Sequence, residues 1–260
     1  MMKWMLSLLA VFCVVATAAF SEDAAGLLVI EDAPTSGLVV ARCDVSWWTH
    51  SMETLPSALD AWLLPGETQV PVQLVWDADS TPAHARGTFA IQVPGAGHWE
   101  VRIVRKDGPP PHPLDNPVVT TTHYALSFAL GQPAGYPSSI SFLDTGKQFS
   151  TFAWFDRLYD SARGQYMLRN DRAATVELIS DGPLCRVVRI SANYCREDGA
   201  VPPSHPCAVY DWYLFNDPPL AFVSGAFHQD TPDEWCELHF LECNFPDASF
   251  TQWAGDDPVR

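Results

Sequence analysis

The segment of this sequence with the most potential for chemistry is HQDTPDEWCELHFLE, residues 228–242. It combines histidines with carboxylates, which transfer protons in acid–base catalysis and ligate metal ions. The candidates for catalysis are His228, Asp230, Glu234, Glu237 and His239, with Asp233 and Glu242 beside them. Side chains two residues apart on a strand share a face, as His228 and Asp230 would, and as Glu237 and His239 would. The turn TPDE between them would bring the two pairs together. The alternative is an acidic turn whose alternating polar residues face solvent.

Other catalytic signatures are missing from the sequence. It contains no G-x-S-x-G, H-E-x-x-H, P-loop or G-x-G-x-x-G motif. The Asp-rich stretches WDADS and AGDD have a composition that binds calcium, but their spacing matches no dedicated calcium loop. We therefore assign no metal site and no cofactor, and keep Ca²⁺ as the alternative.

Five tryptophans are candidates for ligand binding because they lie in or beside predicted loops. They are Trp47, Trp48, Trp154, Trp235 and Trp253. Sugar rings present apolar faces that stack on aromatic side chains, while nearby polar groups bind the hydroxyls. These rings are therefore candidates for binding a polysaccharide or oligosaccharide. The alternative is that they fill gaps between strands.

Charge and the N-terminus limit the partners and the compartment. The chain has 31 acidic residues against 15 Lys and Arg, a net charge of −16, which opposes binding to nucleic acid and to anionic membrane surfaces. Residues 1–18 read as a signal peptide with one Lys, an apolar stretch and an A-x-A cleavage site. We predict a secreted or periplasmic acidic protein with no membrane association after cleavage.

Export also affects how the cysteines are interpreted. Apart from Cys13 there are six cysteines, an even number that favours disulfides in an oxidising compartment. If the segments ending at Cys195 and starting at Cys207 are antiparallel neighbours, these two cysteines face each other where the hairpin opens. We predict that bridge. The alternative is six reduced, buried thiols, and a zinc site is disfavoured because no C-x-x-C pair occurs.

Short β-branched and aromatic segments separated by Gly and Pro turns predict strands along most of the chain. The one segment with helical character is METLPSALDAWLL, residues 52–64. The proline-rich segment 107–117 predicts a linker between two domains, with a long loop inside one β domain as the alternative. The resulting fold class is all-β, with a small N-terminal β domain (24–106) and a larger antiparallel β-sandwich (118–260), complete or lacking its last strands.

A hairpin is predicted around NDPP, residues 216–219, between apolar strands 207–215 and 220–229. The first of these strands is apolar on both faces, which is typical of a strand covered on both sides. Its rings are therefore expected to be core, with a sugar-binding surface as the alternative.

Two stretches of the second half resemble a known family. DGPLCRVVRIS, followed by Y-x-x-Y and PPLAFVSGAF, is similar to the β-supersandwich (galactose-mutarotase-like) domains of carbohydrate-active enzymes, which include alpha-mannosidases and polysaccharide lyases. The earlier VPVQLVWD and RGTFAIQVPGAGHWEVRIV are similar to the front β domain of exo-rhamnogalacturonan-lyase-like proteins. The resemblance covers residues 36–253 and implies a role in polysaccharide degradation.

Three functions remain open at this stage. The first is a secreted, non-catalytic or incomplete front part of a polysaccharide-degrading enzyme, which binds carbohydrate. The second is a complete small polysaccharide lyase or glycoside hydrolase that uses the 228–242 cluster. The third is a structural or adhesive secreted β protein. The sequence names neither the glycan nor the oligomeric state.

Overall fold

The computed structural model describes residues 13–14, 25–35, 37–130, 136–150 and 153–244. Strands account for 55% of the structure and helices for 3%, and the strands form several antiparallel sheets. The predicted all-β, sandwich-like fold class is therefore confirmed.

The strands are short, in keeping with the many prolines and glycines between them. They are β1 Cys13–Val14, β2 Ala25–Ala33, β3 Leu38–Asp44, β4 Ala58–Leu64, β5 Thr68–Val70, β6 Val72–Trp76, β7 Arg86–Gln92, β8 Gly97–Lys106, β9 His112–Pro113, β10 Val118–Thr120, β11 Tyr124–Phe128, β12 Pro137–Phe142, β13 Lys147–Phe149, β14 Ala153–Trp154, β15 Arg157–Asp160, β16 Gly164–Met167, β17 Thr175–Asp181, β18 Cys185–Asn193, β19 Cys207–Phe215, β20 Ala221–His228, β21 Glu237–His239 and β22 Cys243–Asn244. The helical segments are α1 Ser46–Thr49 and a 3-10 turn at Leu168–Asn170.

The chain divides into two compact units. The first consists of Met1–Pro111, Ile179–Cys185 and Phe215–Pro218, and the second of the remaining residues. Within the first unit, one sheet has the order β1-β2-β8-β4-β5 and another the order β3-β7-β6. Both sheets contribute to one apolar core, because strand positions alternate between inside and outside. Val101 and Ile103 of β8 and Ala61 of β4 are fully buried there.

The second unit contains a sheet of order β10-β11-β12-β13, a three-stranded sheet of order β16-β15-β21, and the pair β14-β22. A longer sheet has the order β20-β19-β18-β17-β9, with the end of β17 assigned to the first unit. The core of the second unit is rich in rings, including Tyr136, Tyr194, Tyr210 and Trp212.

The hairpin predicted around NDPP is confirmed. β19 and β20 pair in antiparallel register from Cys207 opposite His228 to Leu214 opposite Ala221. β19 lies between β18 and β20, and its last six residues are buried. Its rings therefore belong to the core, as the pattern of two apolar faces indicates.

Two other expectations from the sequence end differently. The segment 52–64 forms no helix: its second half is strand β4, and the short helix α1 lies earlier, at SWWT. The predicted signal peptide lies largely outside the described residues, apart from Cys13 and Val14, which pair with Ile30 and Val29. None of the helices in the described ranges has the length and apolar character that a membrane span requires.

A buried glutamine holds the β17–β18 turn inside the first unit. The side-chain Nε2 of Gln73 donates to Ser180 Oγ at 2.7 Å and to the Cys185 carbonyl at 2.9 Å, and its Oε1 accepts from Cys185 N–H at 3.1 Å. A Cβ at Gly182 would lie 2.3 Å from Gln73 Oε1, so the turn needs glycine there. The Gly182 N–H also donates to the Cys185 carbonyl at 3.1 Å, so the glutamine side chain and the turn hold Cys185 together.

Replacing this glutamine tests its structural role. Gln73→Ala leaves the buried N–H and C=O of Cys185 without these partners and should lower the free energy of unfolding by about 1–3 kcal/mol. The matched control is Gln69→Ala, because Gln69 is exposed and makes one long hydrogen bond, 3.4 Å, to Asp60. It should change stability by less than about 0.5 kcal/mol. Equal losses for the two variants in urea unfolding would contradict the account.

Candidate functional site

A polar face forms on the three-stranded sheet of the second unit. Arg157 of β15 lies opposite His239 of β21, and Tyr159 lies opposite Glu237. Opposite residues in an antiparallel pair point to the same side, and positions two apart share a face. These four side chains therefore lie on one face. Leu158, between them on β15, is completely buried and points into the core.

Charged contacts organise this face around one guanidinium group. Arg157 Nη2 lies 3.1 Å from Glu237 Oε2 and 3.2 Å from His239 Nε2. His239 Nδ1 lies 2.5 Å from Glu242 Oε2, and Arg157 Nη1 lies 3.6 Å from the same carboxylate. We call Arg157, Glu237, His239 and Glu242 the Arg157 network.

The contacts of the Arg157 network define the histidine tautomer. A guanidinium group only donates hydrogen bonds, so His239 Nε2 must accept from Arg157. The ring proton of the neutral histidine then lies on Nδ1, where it donates to Glu242. A carboxylate thus orients the imidazole, as in many histidine general bases, while Arg157 occupies the nitrogen that would take up a proton.

The remaining members of the 228–242 cluster have other partners. Asp233 accepts two hydrogen bonds from Arg163, at 2.7 and 3.0 Å, and one from Ser204, at 3.0 Å. Hydrogen bonding to Arg163 holds the pKa of Asp233 below its usual range. Asp233 therefore has a structural partner rather than a free carboxylate.

His228 and Asp230 form a separate exposed group. Asp230 lies 3.1 Å from His205 Nδ1 and 3.4 Å from His228 Nε2, and the hydrogen bond to His205 lowers its pKa. Glu234 is exposed, and its backbone carbonyl accepts from Arg163. The structure thus brings Glu237, His239 and Glu242 together and places His228, Asp230 and Glu234 in other contacts.

A buried aspartate supports the Arg157 network from below. Asp156 is only 1% exposed, accepts a hydrogen bond from the Tyr136 hydroxyl at 3.0 Å and accepts another from the backbone N–H of Glu242 at 2.9 Å. The Phe155 N–H also donates to the Glu242 carbonyl at 2.9 Å. Asp156 is therefore a positioning residue, because it holds the backbone of Glu242 under the polar face.

Burial shifts the pKa of Asp156 and that of its neighbour Tyr136. Loss of water around the carboxylate raises the pKa of Asp156, although neighbouring hydroxyl and backbone N–H groups act against the shift. The same burial, with the charge of Asp156, raises the pKa of Tyr136 far above its usual range. The tyrosine therefore stays protonated and donates to Asp156.

Arg157 and Asp156 were not among the site residues predicted from the sequence. Both lie in the segment AWFDRLYD, where two ionisable residues interrupt an apolar strand pattern. That interruption is the signal that could have marked them. Their connection to residues 237–242 depends on the pairing of β15 with β21, which no local pattern specifies.

The candidate tryptophans pack against the core. Trp154 donates from Nε1 to the Pro137 carbonyl at 2.7 Å and meets Trp212 edge-on at 5.3 Å. Trp48 is 4% exposed because α1 turns its side chain into the first core, which fits the alternative of a ring that fills a gap between strands. Trp47 is half-buried against the same core, and Trp253 lies outside the described residues.

Trp235 differs from these rings because a cation covers it. It is half-buried, with the Arg163 guanidinium 4.7 Å from its ring centre and Tyr166 edge-on at 5.8 Å. The same Arg163 binds Asp233. Trp235 is therefore held beside the polar face by a cation–π contact, in a position fixed by protein groups.

The predicted Cys195–Cys207 bridge is not formed in the structure, where both residues are free thiols. Cys195 instead exchanges backbone hydrogen bonds with Met167, at 2.8 and 3.4 Å, and Cys207 lies opposite His228. Where the hairpin opens, Cys195 thus pairs with Met167 of β16 and Cys207 with His228 of β20. Burial also raises the pKa of both thiols and that of Cys185, the last to about 12.

Metal sites and clefts are the other places where a ligand could bind. In the described ranges, no group of three or more His, Cys, Asp or Glu side chains is arranged to hold a metal ion. The first unit has a cleft of about 550 Å³ with Asp60, Lys106 and Ser180 in its wall. Asp60 and Lys106 form an ion pair there at 3.1 Å. This volume is large enough for a sugar-sized ligand.

Comparison with known proteins assigns no family. No protein-family model matches the sequence, and no curated protein matches it. The function is therefore argued from the site itself.

The raised pKa of Asp156 predicts a pH-dependent difference in stability. Its stabilising contribution is present at acidic pH, below the unfolded-state pKa of about 3.9, and is lost as pH rises through the folded-state pKa. Asp156→Asn keeps an acceptor for the Glu242 N–H and never ionises. Its stability relative to the unmodified protein should therefore rise from acidic to neutral pH.

Asp160→Asn is the matched control for this measurement. Hydrogen bonding to Arg163 lowers the pKa of Asp160, so its contribution is present above the unfolded-state pKa and lost as pH falls. The relative stability of Asp160→Asn should thus fall over the range in which that of Asp156→Asn rises. Urea unfolding of both variants at several pH values measures the two slopes, and slopes of the same sign would contradict the assignment.

Proposed function

We propose that this protein binds a polysaccharide or oligosaccharide through the Arg157 network, as a secreted, non-catalytic or incomplete front part of a polysaccharide-degrading enzyme. The observation that carries the proposal is the fixed arrangement of one guanidinium, one imidazole and two carboxylates on one sheet face. Exposed long side chains lose rotamer freedom when they bind a ligand. Here they already hold one another, so that cost is reduced.

The polar groups match the chemistry of a sugar. Each hydroxyl both donates and accepts hydrogen bonds, and the face offers a donor in Arg157 and acceptors in Glu237 and Glu242. The Glu237 side chain is 48% exposed and that of His239 33%, so both are open to a ligand. The half-buried ring of Tyr159 lies on the same face and offers an apolar contact.

The overall charge supports a neutral glycan. A net charge of −16 raises the energy of any polyanion near the surface, including nucleic acids and acidic polysaccharides. Neutral hydroxylated chains are not repelled. The composition of residues 1–18 supports export, which would place the protein where such polymers occur.

The binding proposal predicts a localised loss of affinity. Arg157→Ala removes the donor and the group that holds Glu237 and His239, so affinity for the bound glycan should fall about tenfold or more. The glycan is first selected by array screening, and affinities are then measured by titration calorimetry. Arg172→Ala is the matched control, because Arg172 is an exposed arginine outside this face.

Two results would contradict this proposal. If no glycan binds, the alternative of a structural or adhesive protein is favoured. If Lys106→Ala in the cleft of the first unit abolishes binding and Arg157→Ala does not, the site is the cleft.

A second candidate function, polysaccharide lyase activity, is favoured by the His239–Glu242 contact. If Arg157 turns from His239 Nε2 to a substrate carboxylate, the freed nitrogen of the imidazole, which Glu242 orients, can abstract a proton. In that reaction His239 takes the proton of the C–H bond, the electron pair of that bond forms a carbon–carbon double bond, and the bond from carbon to the glycosidic oxygen breaks. The leaving oxygen takes up a proton from the imidazolium or from water. The substrate would be a uronic-acid polysaccharide, which the net charge of the protein disfavours.

Turnover assays separate binding from catalysis. The binding proposal predicts no unsaturated product, followed by ultraviolet absorbance, from uronic-acid polysaccharides. Cleavage that disappears in His239→Gln and persists in His228→Gln would replace the binding proposal with the lyase. His228 is the suitable control because it is an exposed histidine of the same segment that contacts Asp230.

A further inference from the structure

Strand β20 is an exposed sheet edge whose one ionisable residue, His228, lies at its end. In the described part of the chain it pairs with β19 alone, and it does so over eight consecutive positions without a bulge. Leu220 beside it is 38% exposed, Phe222 41% and Phe227 37%. Soluble proteins usually protect such edges with charges, prolines or bulges. Residues 218–227 contain no ionisable side chain, so β20 before His228 lacks the charges that usually prevent strand addition.

The exposed rings of this edge are already held in place. The ring of Phe222 packs 5.4 Å from that of Tyr213, and the ring of Phe227 packs 5.9 Å from Tyr194 and 5.5 Å from Phe240. Tyr194 and Tyr213 are buried core residues. Because inner rings fix the outer ones, a partner that covers them pays little side-chain entropy.

The sequence of β20 is complementary to itself in antiparallel register. A two-fold axis through Ser224 and normal to the sheet keeps every side chain on its own face and sets a large residue opposite a small one. The resulting pairs are Ala221 with Phe227, Phe222 with Ala226, and Val223 with Gly225, each repeated by symmetry.

The two neighbouring symmetric registers lack this complementarity. An axis through Gly225 sets Val223 against Phe227, two large residues. An axis through Val223 sets Phe227 against Pro219, outside the strand. The pairing through Ser224 is therefore the one that fills both faces.

We propose that β20 is the dimerisation edge of this protein, with a second copy adding its own β20 across a two-fold axis at Ser224. The occupant is a second copy because the edge fits itself in size and because no charged residues meet across it. Such an isologous interface joins two five-stranded sheets into one continuous sheet. The net charge of −16 opposes association only at long range, where salt screens it.

Sedimentation velocity of the full chain, from about 1 to about 100 μM, tests the proposal. The protein should form dimers, and added salt should tighten them. Ala226→Lys places a charge opposite Phe222 of the second copy and should weaken the dimer at least about tenfold. Leu143→Lys is the matched control, since Leu143 is 48% exposed in the turn after β12, and it should leave the dimer unchanged.

Cross-linking tests the register. In a Cys236→Ser background, Ser224→Cys places the two new thiols on the axis with Cα atoms about 5 Å apart, within reach of a disulfide. The control Ala226→Cys separates them by four residues along each strand, about 13 Å. Oxidation should link the first variant only. A protein that stays monomeric at the highest concentration, a dimer indifferent to Ala226→Lys, or equal linking of both cysteine variants overturns the proposal.

Discussion

The buried carboxylate of Asp156 is the constraint on which the polar face depends. It lies among aromatic rings, where an unpartnered charge would be costly, and it therefore requires donors. One donor is the Tyr136 hydroxyl and another is the backbone N–H of Glu242. The requirement of the core for a partner thus fixes the backbone that carries one end of the Arg157 network.

From that point the geometry of the face follows in order. Glu242 is placed by Asp156, His239 is oriented by Glu242, and Arg157 donates to the other imidazole nitrogen. The pairing of β15 with β21 supplies the second connection, because it sets Arg157 opposite His239. A core hydrogen bond and a strand register together produce a fixed group of donors and acceptors at the surface.

Local patterns predicted the strands better than the site. β19 has the predicted bounds, 207–215, because alternation and a turn at NDPP are local signals. The 228–242 segment was recognised by residue type, but its members separate because Asp233 and Asp230 bind Arg163 and His205. Arg157 could not be assigned, since its partners lie 80 residues away and depend on strand order. Trp48 was predicted to lie in a loop, but a short helix that was not predicted turns its side chain into the core.

The most direct measurement of the central claim is a two-dimensional NMR titration of the isotope-labelled protein with the neutral oligosaccharide selected by array screening. The account predicts saturable shifts at the backbone amides of Arg157, Glu237 and Glu242 and at the side-chain nitrogens of His239. Shifts confined to residues of the first-unit cleft, such as Asp60 and Lys106, or no shifts at all, would contradict it.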